Sequence, residues 1–319
     1  MLEKLEKIRE LTADDLGIPR VAEISSTDSA GVLDLASPEN GAISEEQLEM
    51  VAPDDPIYLR LLQLLEDGFG GVILTGPPGT GKSRAARRIA ARLAGGDLSR
   101  LFFIQFHPAY QYEDFIEAYV PTEQGGFELA DKTFLLACKA AVELGDTVVV
   151  VLDELSRTDV IRVFGEVLTY LEPSKRGFPF MLASGREAIV PKNLVIIATM
   201  NPWDRGVEEL DLAFERRFAK IALEPDVSAL NDILRDADLS DQRKQRLERF
   251  FLILHRHPNP LCRLGHAYFQ TVRDDASLIR LWENQLTFHF ERVLKRSPDE
   301  LASIRSAWAN VIADQNDQA

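Results

Sequence analysis

VILTGPPGTGKS, Val72 to Ser83, decides how this chain is read. A short apolar strand runs into G-x-x-x-x-G-K-S, and an alanine- and arginine-rich helical stretch from Lys82 to Leu93 follows it. Each part of that order has a physical use. Glycines let successive backbone N–H groups turn inward around phosphate oxygens, and the start of the helix adds positive potential. A lysine at position 82 reaches the terminal phosphates, and the hydroxyl of Ser83 suits a magnesium ion. The phosphate-binding set is therefore Gly76, Pro77, Pro78, Gly79, Thr80, Gly81, Lys82 and Ser83. A plain Gly/Pro turn with an exposed lysine would explain the loop but neither the strand before it nor the helix after it.

Working outward, apolar strand-like runs alternate with helical ones. The pattern predicts strands at Val72–Thr75, Leu101–Phe106, Val148–Leu152, Leu194–Thr199 and Phe218–Leu223. It predicts helices over Tyr58–Phe69, Lys82–Leu93, Tyr112–Tyr119, Lys132–Leu144 and Val160–Leu171. Such alternation implies an α/β fold, a parallel sheet with flanking helices. After Glu224 the character changes to helical spacing alone, in Gln242–Leu254 and Ile279–Val293. The expected division is an acidic N-terminal extension over residues 1–57, a nucleotide-binding α/β domain over 58–224 and a smaller all-helical lid over 225–319. A helix is expected at Leu2–Leu11, followed by turn-rich sequence.

Three further stretches carry chemistry. VVVVLDE, Val148 to Glu154, is a buried strand ending in two acids; beside a phosphate loop, Asp153 is placed to anchor magnesium and Glu154 to polarise water. NLVIIATMN, Asn193 to Asn201, is a second buried strand. Ligands of open parallel sheets sit at the carboxyl ends of the strands, which puts Asn201 beside the phosphates. DLAFERRF, Asp211 to Phe218, sets two arginines at the end of a helix. They either complement the helix C-terminus or act across a subunit interface.

Composition narrows the classes. The 319 residues are 45% hydrophobic and 27% charged, an ordinary globular balance. No apolar run approaches the roughly 18 residues needed to span a bilayer, and MLEKLEKIRE is no signal peptide. A cytoplasmic protein with no membrane partner is expected. With 51 acids against 36 bases the formal charge is −15, which opposes unaided binding to a polyanion. Nucleic acid is thus reachable only through a local basic surface or a partner. Cys138 and Cys262 read as small core residues, and His255, His257 and Cys262 in HRHPNPLC read as a loop rather than a metal site.

Together GPPGTGKS, VVVVLDELSR, IIATMN and FERRF resemble the AAA+ ATPases. FHPAYQYEDFIEAYVP, Phe106 to Pro121, and QGGFELADKTF, Gln124 to Phe134, narrow the resemblance to the McrB-like, dynein-related branch. LGHAYF, Leu264 to Phe269, is similar to the lid segment of that branch. The resemblance implies a Walker A pair, Lys82 and Ser83, a Walker B pair, Asp153 and Glu154, and sensor 1 at Asn201. It makes Asp204 of MNPWD a coupling residue, Arg216 or Arg217 a trans-acting finger, and Arg157 a residue facing the neighbouring subunit. Sensor 2 falls to His266, with Arg263 as substitute. It further implies Mg2+, a hexameric ring and a separate effector or nuclease protein, since no nuclease constellation is present in the sequence. ATP is the expected nucleotide and GTP the alternative, because the loop contacts phosphates and not the purine.

The resemblance implies an oligomeric motor in a McrBC-like restriction or antiviral defence system. A MoxR-like protein-remodelling ATPase, a monomeric small-molecule kinase and a nucleotide-gated scaffold with little turnover are the alternatives. The paired arginines, Glu154 and the helical C-terminal part weigh against the kinase.

Overall fold

The computed structural model describes residues 49–123, 125–203 and 212–313. The expected helix at Leu2–Leu11 lies outside them. The chain enters helix α1 (Pro56–Glu66), capped by the Asp55 carboxylate, which accepts from the N–H groups of Ile57 and Tyr58. Strand β1 (Gly71–Thr75) leads through the loop into α2 (Lys82–Leu93), and β2 (Leu101–Gln105) follows. One helical turn, α3 (Tyr112–Phe115), precedes a hairpin of β3 (Glu117–Pro121) and β4 (Phe127–Asp131). Then come α4 (Thr133–Leu144), β5 (Val148–Asp153), α5 (Val160–Phe164) and α6 (Val167–Tyr170). A second hairpin, β6 (Pro179–Met181) with β7 (Glu187–Ile189), leads to β8 (Leu194–Met200), α7 (Leu212–Glu215) and β9 (Ala219–Ala222).

Strands β2, β5, β8, β1 and β9 form one sheet in that order, every pairing parallel. The apolar runs explain it. A parallel sheet covered on both faces needs strands that are apolar on both, and β5 and β8 supply VVVVL and LVIIA. Alternate side chains then fill two cores. Ile73, Val150, Leu152 and Ile196 pack toward α4 with Phe115, Phe134 and Phe164. Val72, Leu74, Val149 and Ile197 pack toward α1 and α2, where Ala86, Ile89 and Ala90 let the helix lie close to the sheet.

Beyond β9 the described residues are mainly helical, as expected. Helices α8 (Val227–Leu234), α9 (Asp241–His255), α10 (Asp275–Leu281), α11 (Thr287–Val293) and α12 (Pro298–Ile312) enclose a core of their own. Phe250, Phe251 and Phe290 fill it, and Trp282 stacks on Trp308 with centroids 4.8 Å apart. Among the described residues no helix is long and apolar enough to cross a membrane.

The differences from the sequence reading have identifiable causes. The expected helix at Tyr112–Tyr119 stops after one turn, because Glu117 leaves the helical path to pair with Asp131 as the first rung of β3–β4. Both acids are gripped by Arg186, at 2.7 and 2.8 Å, from the turn of the other hairpin. The expected helix at Val160–Leu171 breaks at Gly165, which adopts φ 51°. A Cβ there would lie 3.0 Å from the ring of Tyr112. The run Ile279–Val293 is helical but contains a π-turn at Trp282–Leu286, and α8 and α12 were not anticipated.

Candidate nucleotide site at the carboxyl edge of the sheet

Parallel pairing brings the carboxyl ends of β1, β5 and β8 side by side: Thr75 is in register with Met200, and Leu152 with Ala198. The loop after β1, the acids after β5 and Asn201 after β8 therefore share one edge. Sequence reasoning placed them there, and the topology brings them together.

The loop is shaped by glycines with positive φ: Gly76 at 149°, Gly79 at 79° and Gly81 at 80°. At Gly76 a side chain is excluded twice over, since its Cβ would also lie 2.2 Å from the Leu223 carbonyl oxygen. Thr80 Oγ1 donates to the Pro77 carbonyl at 2.9 Å. Lys82 folds back so that its ammonium donates to the carbonyls of Gly76 at 2.9 Å and Pro77 at 2.8 Å. Helix α2 begins at Lys82 with Gly81 as its N-cap, no side-chain cap and no acid in its first turn. Neither a cap side chain nor an acid of its own first turn offsets its first N–H groups and the positive end of its dipole, the property an anion uses.

Beside the loop, Ser83 Oγ donates to Asp153 Oδ1 at 2.7 Å, and Thr199 Oγ1 donates to the same oxygen at 2.5 Å. The Glu154 N–H in turn donates to Thr199 Oγ1 at 3.1 Å. Glu154 has φ 58° and ψ 44°, the left-handed region. Its side chain is 37% exposed and meets Arg157 Nε at 3.3 Å. Asn201 is 5% exposed, and its Oδ1 accepts from the Trp203 N–H at 3.2 Å.

The donor set fits a hard cation shared with phosphates. Among the described residues no three His, Cys, Asp or Glu side chains form a metal cage. One carboxylate and one hydroxyl, Asp153 and Ser83, lie next to the anion-attracting loop, and magnesium is commonly held by few protein oxygens plus substrate phosphates.

The two arginines after α7 part company. Arg216 projects outward with its side chain 66% exposed, 3.7 Å from Glu172. Arg217 is 7% exposed. Phe214 and Phe218 stack at 4.7 Å within the core and anchor the segment, so consecutive residues between them face opposite ways. Asp204 lies outside the described residues.

The helical part reaches the loop through LGHAYF. Gly265 N–H donates to the Pro78 carbonyl and Ala267 N–H to the Gly79 carbonyl, both at 2.9 Å. His266 is thereby set over Gly81, where a Cβ would lie 3.7 Å from its Nε2. Burial pushes the His266 imidazole below its ordinary value; nearby Asp226 opposes that fall, and Arg84 adds to it. Arg263, the substitute for sensor 2, donates instead to the His257 carbonyl at 3.1 Å. Two residues of the site were missed in the sequence, Thr199 and Gly265. A hydroxyl in an otherwise apolar strand was the available signal for the first, and a glycine inside LGHAYF for the second.

Residues 71–218 match the AAA domain of the dynein-related subfamily. The chain is 34% identical over 237 residues to the type IV methyl-directed restriction enzyme EcoKMcrB subunit of Escherichia coli strain K12, covering 67% of this chain and 50% of that protein. It is 28% identical over 188 residues to the type II restriction enzyme BsuMI component YdiS of Bacillus subtilis strain 168, covering 46% of this chain and 55% of that one. The chain thus spans about half the length of these curated relatives. With the P-loop sheet and the helical part that follows it, the chain thus carries an AAA domain of the dynein-related subfamily over residues 71–218 and is similar to McrB-type restriction-enzyme subunits.

Proposed function

We propose that the chain binds a nucleoside triphosphate with Mg2+ at the carboxyl edge of its sheet and hydrolyses it within a ring of identical subunits, hexameric in the reading adopted here. The observation that carries this reading is the hydrogen-bonded series from Ser83 through Asp153 and Thr199 to Glu154, at the mouth of the glycine loop. Loop amides and the start of α2 hold the phosphates, and Lys82 exchanges the carbonyls of Gly76 and Pro77 for phosphate oxygens. Ser83 and Asp153 hold the ion, which when bound offsets charge on the phosphates. Glu154 takes the proton of the attacking water, and Asn201 orients that water or the terminal phosphate. His266 contributes from the lid.

A guanidinium from the adjacent copy completes the pocket. Exposure favours Arg216 for that role, since Arg217 is buried in its own chain. Arg157, half exposed and paired with Glu154, faces the neighbouring subunit in this scheme. ATP is the nucleotide in this reading and GTP the alternative; competition between unlabelled nucleotides decides it.

The work done by hydrolysis passes to a separate effector protein of a restriction or defence system. Two relatives that are named as a subunit and a component of restriction enzymes support this, as does a charge of −15 that disfavours unaided contact with nucleic acid. Asp204 is the coupling residue in this scheme. Sedimentation with and without nucleotide, run alongside steady-state turnover, tests the whole. Nucleotide-dependent assembly with turnover that rises with protein concentration supports it, and equal turnover by dilute monomer overturns it.

A further inference from the structure

We infer that Thr199 is a positioning residue for hydrolysis, setting both the metal-binding carboxylate of Asp153 and the backbone turn that aims Glu154. The inference rests on the nucleotide-site reading above. Thr199 is 2% exposed and lies in β8, whose other side chains, Leu194, Val195, Ile196, Ile197, Ala198 and Met200, are all apolar. Valine would fill that place with the same shape. A buried hydroxyl loses its water and is retained at no cost only when it is hydrogen-bonded, so its partners identify what it does.

Both partners belong to the candidate site. The one proton of the hydroxyl goes to Asp153 Oδ1 at 2.5 Å, and a lone pair accepts the Glu154 N–H at 3.1 Å. The first contact orients the Asp153 carboxylate from within the sheet, whereas Ser83 reaches it from α2. The second holds a strained residue: among the described residues Glu154 is the sole non-glycine with positive φ. A left-handed glutamate persists only where neighbouring structure fixes it. Releasing the N–H would let the backbone relax and swing the carboxylate away from its aim. Residues behind metal ligands and general bases act in this way, orienting the groups that touch substrate.

Thr199→Val, Thr199→Ser, Lys82→Ala and Glu154→Gln should be compared by turnover and by binding of a fluorescent nucleotide across a Mg2+ titration. For Thr199→Val the expected result is a fall in kcat of about hundredfold with KM changed less than about threefold. Half-saturation by Mg2+ in the binding assay should rise about tenfold. Thr199→Ser should recover to within about fivefold of the parent on every readout, because it restores the hydroxyl.

Thr199→Val turning over at the parental rate, or Thr199→Ser failing as badly as Thr199→Val, would overturn the inference; the second outcome would assign the effect to packing of the methyl group. Should Thr199→Val not fold, Thr199→Ala against Thr199→Ser decides on the same criteria. Parental turnover in Lys82→Ala and Glu154→Gln would instead overturn the nucleotide-site reading, and this inference with it.

Discussion

The N–H of Gly265 donates to the carbonyl of Pro78 at 2.9 Å, joining the helical part of the chain to the middle of the phosphate loop. The approach is so close that a Cβ on Gly265 would lie 2.0 Å from the Gly79 carbonyl carbon. The loop and the helical part therefore share backbone hydrogen bonds, from Gly265 to Pro78 and from Ala267 to Gly79.

Gly265→Ala should force the two apart. Overpacking of this kind costs about 1–3 kcal/mol, and the loop pays part of it in its own conformation. Nucleotide affinity is expected to fall at least about tenfold, which matches about 1.4 kcal/mol. Fluorescent nucleotide titration and differential scanning calorimetry on the same sample check both effects.

Arg216→Ala and Arg217→Ala should fail differently. Loss of the exposed Arg216 is expected to lower turnover by about 10³-fold while leaving nucleotide binding and melting temperature near the parent values. Loss of the buried Arg217 should lower the melting temperature first. Mixing the Arg216→Ala and Lys82→Ala chains should not restore every site, since each interface needs both groups in opposite copies.

Arg176 lies at the other end of the sheet. Its guanidinium is 4% exposed and donates to three backbone carbonyls, those of Leu171, Leu194 and Gly70, so it bolts the segment after α6 to the starts of β8 and β1. Burial lowers its pKa to about 10. Arg176→Ala should destabilise by about 3 kcal/mol, because three buried carbonyls lose their donor. Urea unfolding measures it, and nucleotide affinity in the folded fraction should be unchanged.

Acidification should destabilise the helical part. His266 and His289 are both pushed by burial below the ordinary imidazole value. The unfolded chain therefore takes up protons near pH 6.5 that the folded chain refuses, so stability is complete above that pH and declines as pH falls toward the depressed values. Melting temperature should drop between pH 7 and about pH 5.5, and His266→Gln should flatten the slope without abolishing it, since His289 still contributes. An identical slope in the variant would assign the effect elsewhere.

Much of the fold was legible because its strongest signals are local. VILT before GPPGTGKS specifies strand, loop and helix in consecutive residues, and α2 runs from Lys82 to Leu93 as read. The apolar runs of β5 and β8 required two covered faces and hence a parallel sheet. What the sequence hid depends on distant partners. Glu117 looks like part of a helix until Arg186, 69 residues on, is seen to hold it at the base of a hairpin. Arg216 and Arg217 are alike as letters, and only the stacking of Phe214 on Phe218 separates an exposed arginine from a buried one. Thr199 gave no sign of its role, because its bond to Asp153 spans 46 residues.

The central claim is that triphosphate binds at this edge and that Glu154 drives its hydrolysis. Chromatography of nucleotide extracted from purified Glu154→Gln protein after incubation with Mg2+ and triphosphate tests it most directly. The expected result is intact triphosphate retained on the protein with turnover reduced by at least about hundredfold. Retention of diphosphate alone, or turnover equal to the parent, would contradict it.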